Sequence, residues 1–225
     1  MVTLLPVGKL RPWLHQAREI ISAERHQKML SYRQEEDRLR SFGAALLLRQ
    51  VSEGRPIYYT AAGKPYAPGC SFSLSHGGDY AGLAEVKPDI SVGLDIEKMM
   101  GPVEEWAGAA LADEEYQYLS SCETNAEKTK MFYRLWTRKE SLLKCEGRGF
   151  MVEPEQICTL PMDRANGISY FGDVYGISSL EWQGHILSVA LAGKIPRILV
   201  REITDIGGYL CEKHGNVFGD SCFHA

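Results

Sequence analysis

The chain has 225 residues, of which 44% are hydrophobic and 24% are charged. These fractions are ordinary for a globular protein and place the chain outside the disordered, collagen-like and membrane-embedded classes. The net charge of -4 at pH 7 argues against broad nucleic-acid binding, although a small basic pocket for phosphates is compatible with it.

The first twenty residues are interrupted by prolines and basic side chains, so they lack the apolar stretch of a signal peptide. The cysteines are irregularly spaced and form no Cys-x-x-Cys pair, which favours free thiols over a zinc site or a disulfide framework. Both observations predict a cytoplasmic protein. The six cysteines are Cys70, Cys122, Cys145, Cys158, Cys211 and Cys222.

Helices and short strands follow one another along the chain in two series. The predicted elements are, in chain order, a helix or helix pair over residues 22–51, strands over residues 57–60, 72–75, 80–86 and 91–97, helices over residues 103–120 and 126–145, and further strands in the carboxy-terminal third. Residues 79–86 and 184–192 both alternate small and apolar side chains. The pattern predicts an α+β chain of two similar halves, each with helices packed on a small sheet.

Two carboxylates stand close together on a predicted strand. Asp95 and Glu97 are two residues apart and share one face, whereas Val92, Leu94 and Ile96 occupy the other. Like charges at this spacing need a cation or a shared proton. The alternative is an exposed strand face with two solvated acids.

Glu140 and Lys144 lie at the border of an apolar helix face. That face is formed by Phe132, Leu135, Trp136, Leu142 and Leu143. Lys139 falls inside the face and therefore needs a partner or a polar site to reach. The alternative for Glu140 and Lys144 is an ordinary ion pair, four residues apart, on a solvated helix face.

Ser75 and His76 end a predicted strand and are followed by two glycines, an arrangement that can hold phosphate. The alternative is a turn-capping serine and a surface histidine. A serine hydrolase is disfavoured, because the Gly-x-Ser-x-Gly turn is absent and adjacent side chains on a strand do not face each other. Scattered basic residues are usually solvated, but four are further candidates for phosphate binding: Arg25, Lys28, Arg40 and Lys64.

Taken in order, four blocks of the sequence resemble the signature of Sfp-type 4′-phosphopantetheinyl transferases. The blocks are Gly63 to Pro65, Phe72 to His76, Val92 to Glu97, and the helical set Phe132, Trp136, Lys139, Glu140 and Lys144. The resemblance extends over roughly residues 22–190. It implies an enzyme that transfers 4′-phosphopantetheine from coenzyme A to a serine of an apo acyl or peptidyl carrier protein, releases 3′,5′-ADP and depends on Mg²⁺.

The resemblance also implies where the site lies and which residues form it. Two similar α/β halves with mainly antiparallel sheets, residues 1–100 and 101–225, are expected to be related by a pseudo-twofold axis, with the active site in the cleft between them. The implied Mg²⁺ ligands are Asp95, Glu97 and Glu140. Glu140 is also the implied general base, and Lys144 the group that assists the departing phosphate. The implied coenzyme A contacts are Arg25, Lys28, Arg40, Ser41, Lys64, Ser75 and His76.

Other functions remain open on the residues alone. A metal-dependent phosphohydrolase acting on a nucleotide would use the same acids, and a non-catalytic module could bind coenzyme A or the carrier without turnover. We expect a monomer with neither a nucleic-acid nor a membrane partner. Lys130, Arg134 and Arg138 repeat every four residues and predict a basic ridge that docks an acidic carrier, with a solvated helix face as the alternative.

Overall fold

The computed structural model describes residues 1–149, 152–161 and 167–214, with residues 213 and 214 described by their backbone. The α-helices are α1 (Ala17–Ile20), α2 (Ala23–Ser31), α3 (Glu35–Ser52), α4 (Glu104–Ala110), α5 (Asp113–Ser120), α6 (Asn125–Glu146) and α7 (Ile206–His214). The strands are β1 (Val2–Pro6), β2 (Tyr58–Tyr59), β3 (Pro65–Tyr66), β4 (Ser71–Gly77), β5 (Tyr80–Val86), β6 (Val92–Lys98), β7 (Ile168–Tyr170), β8 (Asp173–Trp182), β9 (His185–Ala192) and β10 (Val200–Glu202). Short 3-10 helices span Val7–Gln16 and Pro154–Gln156.

Two four-stranded sheets and one small hairpin make up the β structure. The first sheet has the order β10-β1-β5-β4, the second has the order β6-β9-β8-β7, and β2 pairs with β3. Strand β1 runs parallel to β10, whereas the other described pairs are antiparallel. The predicted α+β class with small, mainly antiparallel sheets is confirmed. The two segments with similar alternation form β5 and β9, each lying one strand in from an edge.

Strands β4 and β6 bring the two sheets together along their facing edges. Alternate residues of β4 point at β6, and they are small. The Ser73 hydroxyl accepts a hydrogen bond from the Leu94 backbone N–H at 3.0 Å. A Cβ atom at Gly77 would overlap the Ile96 carbonyl oxygen, so only glycine permits this approach. Strands β4 and β6 are therefore joined by a hydrogen bond from the β6 backbone to a β4 side chain, and not by the backbone hydrogen bonds of a continuous sheet.

Helix α6 packs directly on the backbone of β6. It begins at a capping box, in which the Thr124 hydroxyl accepts from the Glu127 N–H and the Glu127 carboxylate accepts from the Thr124 N–H. It ends at Gly147, whose φ of 88° is the left-handed conformation that closes many helices. A Cβ at Gly93 would overlap the Ser141 carbonyl oxygen, so this glycine sets the distance between helix and strand.

The structure corrects several boundaries. The helix predicted over residues 103–120 is two helices, α4 and α5, because the chain turns to extended conformation at Leu111 and Ala112. Strand β1 was not predicted. Residues 206–214, which have no clear pattern, form α7, and residues 215–225 lie outside the described part.

The thiol prediction holds for four cysteines and is wrong for a fifth. Cys70, Cys122, Cys145 and Cys158 are free thiols. Cys211 is disulfide-bonded. Cysteine spacing in a sequence does not reveal which sulfur atoms meet after folding, and this is why the pattern misled. In the described part of the chain, none of the helices combines the length and apolar character needed to cross a membrane.

Candidate active site

Asp95 is the most buried of the predicted acids, with 2% of its surface exposed. Its Oδ1 atom accepts hydrogen bonds from the Lys144 ammonium at 2.6 Å and from the Ser75 hydroxyl at 2.9 Å. Its Oδ2 atom is buried and has no hydrogen-bond partner among the described residues. One half of this carboxylate is therefore satisfied by the protein, and the other half still has unused acceptor capacity.

Glu97 and Glu140 bring two further carboxylates to Asp95, from β6 and α6 respectively. Burial, reinforced by the negative charge of Asp95, raises the pKa of Glu97 to about 7. The same two causes raise the pKa of Glu140 to about 7. Burial lowers the pKa of Lys144, but the charges of Asp95, Glu140 and Glu97 outweigh it, so the net shift is upward. Three acids and one ammonium thus share a partly desolvated site.

A cavity of about 420 Å³ lies over these groups and collects most of the predicted site residues. Its walls come from α2, α6, the edges of both sheets and the β2–β3 hairpin. The predicted residues that line it are Arg25, Lys28, Ser75, His76, Asp95, Glu97, Glu140 and Lys144. Acids and bases that are far apart in the sequence therefore meet around one space large enough for a small ligand.

Three predicted coenzyme A contacts lie elsewhere. Arg40 lines an adjoining cavity of about 560 Å³ and donates to the Gly78 carbonyl oxygen at 3.0 Å. Lys64 lines a third cavity of about 280 Å³, and its ammonium donates to the carbonyl oxygens of Val92 and Lys144 at 3.1 and 2.6 Å. Ser41 is buried on α3 and lines none of these three cavities.

Two site residues, Tyr59 and Ser73, were not predicted from the sequence. The ring of Tyr59 lies under the guanidinium of Arg25, with 5.6 Å between the guanidinium carbon and the ring centroid, and both residues line the cavity of about 420 Å³, which is called the main cavity below. Ser73 anchors β6 through Leu94, as described above. The available signal for Ser73 was its two-residue spacing from Ser75, which places both hydroxyls on one face of β4.

The three acids suit a hard divalent cation, because they supply carboxylate oxygens and because one of these oxygens has no hydrogen-bond partner among the described residues. Carboxylate oxygens are preferred Mg²⁺ ligands, and the unpartnered Oδ2 atom of Asp95 is a buried acceptor that needs a donor or a cation. No ready-made group of three or more potential ligands is present among the described residues. The ammonium of Lys144 is the cation bonded to Asp95 in this structure, at 2.6 Å from Oδ1. The residues thus fit Mg²⁺ in the chemistry of their donor atoms, and not in a ligand geometry that is already assembled.

The prediction that Lys139 needs a partner is confirmed. Its ammonium lies 2.6 Å from the carboxylate of Glu115, and both side chains are fully buried. The ammonium also donates to the carbonyl oxygens of Ala110 and Pro154, while Glu115 accepts from the backbone and the hydroxyl of Thr159. The pair fixes α5 and the 154–159 segment to α6, one residue before Glu140.

The predicted basic ridge on α6 is wrong at Arg138. Arg138 is 3% exposed, and its guanidinium donates to the carbonyl oxygens of Ile177 and Thr159. Lys130 is paired with Glu181 at 2.6 Å. The prediction assumed that the face opposite the apolar one is solvated, but at Arg138 it is covered by β8 and the segment around Thr159.

Residues 91–191 match the model of the 4′-phosphopantetheinyl transferase superfamily, and the match includes both acids of β6 and the whole of α6. This segment is therefore similar to that superfamily. The family resemblance predicted from the four sequence blocks is thereby confirmed.

Relatives from animals and bacteria agree with this result. The chain is 32% identical over 117 residues to the L-aminoadipate-semialdehyde dehydrogenase-phosphopantetheinyl transferase of Homo sapiens, a match over 49% of the chain and 37% of the relative. It is 34% identical over 111 residues to the protein of the same name from Xenopus laevis, over 46% and 36%. It is 30% identical over 155 residues to a 4′-phosphopantetheinyl transferase of Bacillus subtilis, over 64% of each. The matches thus span little more than a third of the length of these two animal relatives.

Proposed function

We propose that the protein transfers 4′-phosphopantetheine from coenzyme A to a serine hydroxyl of an apo acyl or peptidyl carrier protein. One observation carries this proposal: within a segment that matches the superfamily model, Asp95, Glu97, Glu140 and Lys144 line a cavity that is also lined by the basic side chains of Arg25 and Lys28. Such a cavity suits a ligand that carries several phosphates.

The basic side chains of the cavity would hold the phosphates of coenzyme A. Lys28 is exposed at the rim, and Arg25 is half-buried against Tyr59. A guanidinium held over an aromatic ring loses less freedom on binding phosphate than a free side chain does. His76 lies between this cavity and the one lined by Arg40, so a long ligand could reach both. The assignments of Ser41 and Lys64 to coenzyme A stay predictions.

Asp95, Glu97 and Glu140 would hold Mg²⁺. When bound, this ion supplies charge neutralisation for the pyrophosphate as the bond to the leaving group breaks. Glu140 would accept the proton of the carrier serine, directly or through water, because its carboxylate lines the cavity beside the two acids of β6. The serine oxygen forms a bond to the β-phosphorus, the bond to the bridging oxygen breaks, and 3′,5′-ADP leaves. Lys144 would stabilise the charge that develops on the departing phosphate.

The direct test is mass spectrometry of several apo-carriers after incubation with coenzyme A, Mg²⁺ and the protein. We expect one carrier serine to gain a single phosphopantetheine, and we expect no gain in excess chelator or with Asp95→Asn. The carriers should represent fatty-acid, polyketide, peptide and lysine-biosynthesis systems.

A parallel reaction without carrier separates the alternatives. A phosphohydrolase would consume coenzyme A in that reaction, whereas a transferase would leave it intact. A non-catalytic binding module would bind coenzyme A and modify none of the carriers. Transfer in the presence of chelator would contradict the proposed Mg²⁺ dependence.

We also propose that the protein acts as a cytoplasmic monomer.

A further inference from the structure

The acidic site has an internal cation. Asp95, Glu97 and Glu140 place three carboxylates in one partly desolvated space, where like charges repel strongly. Among the described residues, Lys144 is the cation within ion-pair distance of any of the three. The local charge balance of these three carboxylates therefore depends on this one ammonium within the described part of the chain.

That balance is incomplete. Lys144 and Ser75 both bond to the Oδ1 atom of Asp95, and Oδ2 is left buried without a donor. A buried carboxylate oxygen without a partner is costly, because it has given up its hydrogen bonds to water. A divalent cation would bring twice the charge of an ammonium to the same carboxylates. The contacts of Lys144 thus resemble those of a partial substitute for a metal.

The ammonium of Lys144 has space to move, but its backbone is held. The side chain lines both the main cavity and the neighbouring cavity that contains Lys64, and it is about one-third exposed (32%). A lysine stem is flexible and can swing its charge over several ångströms. The Lys144 carbonyl oxygen accepts a hydrogen bond from Lys64 at 2.6 Å, which fixes the end of α6 while the ammonium moves.

We propose that Lys144 is a resident counter-ion that an incoming divalent cation displaces from Asp95. Rupture of this ion pair frees the ammonium to enter the cavity, where the phosphates of a bound substrate supply its new partner. Metal and phosphate ligand therefore bind cooperatively, since each compensates a charge that the other exposes. This inference rests on the proposed function for the identity of the phosphate ligand. The exchange itself needs only the metal.

Metal binding to variants tests the exchange without coenzyme A or carrier. The probe is Mn²⁺, and its free concentration is followed by electron paramagnetic resonance. Lys144→Met keeps most of the side-chain length but removes the competing charge, so we expect it to bind Mn²⁺ at least about tenfold more tightly than the unmodified protein. Lys28→Met removes one charge from the same cavity without touching Asp95, and it should tighten binding by less than about threefold. Equal or weaker binding by Lys144→Met, or an equal gain in both variants, overturns the proposal.

A second measurement uses the unmodified protein, so it stands even if Lys144→Met does not fold. The acetylation rate of each lysine by acetic anhydride is measured by peptide mass mapping, in chelator and in Mg²⁺. We expect Lys144 to react faster in Mg²⁺. Lys130 lies on the same helix as Lys144 and is paired with Glu181 of β8, and it should keep its rate. An unchanged or slower rate at Lys144 counts against the exchange. Exchange without carrier modification would refute the proposed transferase alone, and modification without exchange would refute the counter-ion alone.

Discussion

Glu140 is the residue on which the proposed chemistry depends most, because it would serve as metal ligand and base. Glu140→Gln keeps the side-chain volume and removes both the charge and the basic lone pair. We expect turnover to fall by about 10² to 10⁴, the usual contribution of a positioned base. Calorimetry should show that coenzyme A still binds, since the basic side chains of the cavity are unchanged.

The matched control for this prediction is Glu104→Gln, which makes the same change at an exposed position of α4. It should retain the turnover of the unmodified protein. If Glu140→Gln also stays within about threefold of that rate, Glu140 is not the base. The site would then have to be rebuilt around Asp95 and Glu97.

The buried pair of Glu115 and Lys139 makes a prediction about stability. Glu115→Gln leaves the Lys139 ammonium buried without a counter-charge, so the free energy of unfolding should fall by about 3 to 5 kcal/mol. Denaturant unfolding measures this loss. Glu114→Gln, at the exposed neighbouring position, should change it by no more than about 0.5 kcal/mol. Adding Lys139→Met to Glu115→Gln should recover part of the loss, since neither charge is then buried. A loss below about 1 kcal/mol for Glu115→Gln would show that the ammonium is stabilised by the two carbonyl oxygens alone.

The sequence predicts side chains that share one element better than side chains that meet across the fold. Asp95 and Glu97 were found because strand periodicity is local, and Glu140 and Lys144 because helix periodicity is local. The partnership of Glu115 with Lys139 depends on how α5 packs against α6, which periodicity does not contain. Whether the site residues act as predicted is for the variants above to decide.

At the scale of elements, the contact of α6 with β6 controls how the acids meet. Gly93→Ala would force the backbone of α6 away from β6, because the new methyl group overlaps the Ser141 carbonyl oxygen and the Cys145 nitrogen. We expect a loss of about 1 to 3 kcal/mol in the free energy of unfolding and a large loss of transfer activity. The loss of stability and the loss of activity have the same cause, which is the movement of α6 away from β6.

Gly108→Ala is the control, since a Cβ there meets no atom within 4 Å. Inside α4 this change should be neutral or raise stability by about 0.5 to 1 kcal/mol. Unfolding curves and carrier modification are compared for the two variants. Full activity in Gly93→Ala would mean that the spacing of α6 and β6 is not what positions Glu140 and Lys144.

The error over Arg138 shows where reasoning about single elements fails. Measured from the apolar face of α6, Arg138 lies on the opposite side, and an isolated helix would leave it in water. In the fold, β8 covers Arg138, and its guanidinium donates hydrogen bonds to the carbonyl oxygens of Ile177 and Thr159. Amphipathicity identifies one buried face of a helix, but it does not reveal a second face buried through polar contacts.

At the scale of the whole molecule, the division into two halves at residue 100 stays a prediction. The strand pairing of the two sheets suggests a test of whether each half folds independently. Strand β6 pairs with β9, and β1 pairs with β10, so each half contributes a strand to a sheet formed mainly by the other. One apolar cluster contains Val2 and Leu4 together with Leu187 and Val189. The core around the first sheet is therefore built from both halves.

We therefore expect residues 1–100 expressed alone to lack a cooperative thermal transition by circular dichroism. Co-expression with residues 101–225 should restore it, because the missing strands are then supplied in trans. A sharp transition for residues 1–100 alone would show that this half folds independently despite the shared strands.

The serine and glycine contacts between β4 and β6 also bear on self-association. The outer edge strands, β7 and β10, have three residues each, whereas the two facing edges have seven. Short edges offer little template for pairing with another chain, and the long ones shield each other. A change that separates the sheets, such as Gly77→Ala, would uncover both long edges at once. Aggregation, followed by light scattering at temperatures well below unfolding, is therefore the failure expected of this variant.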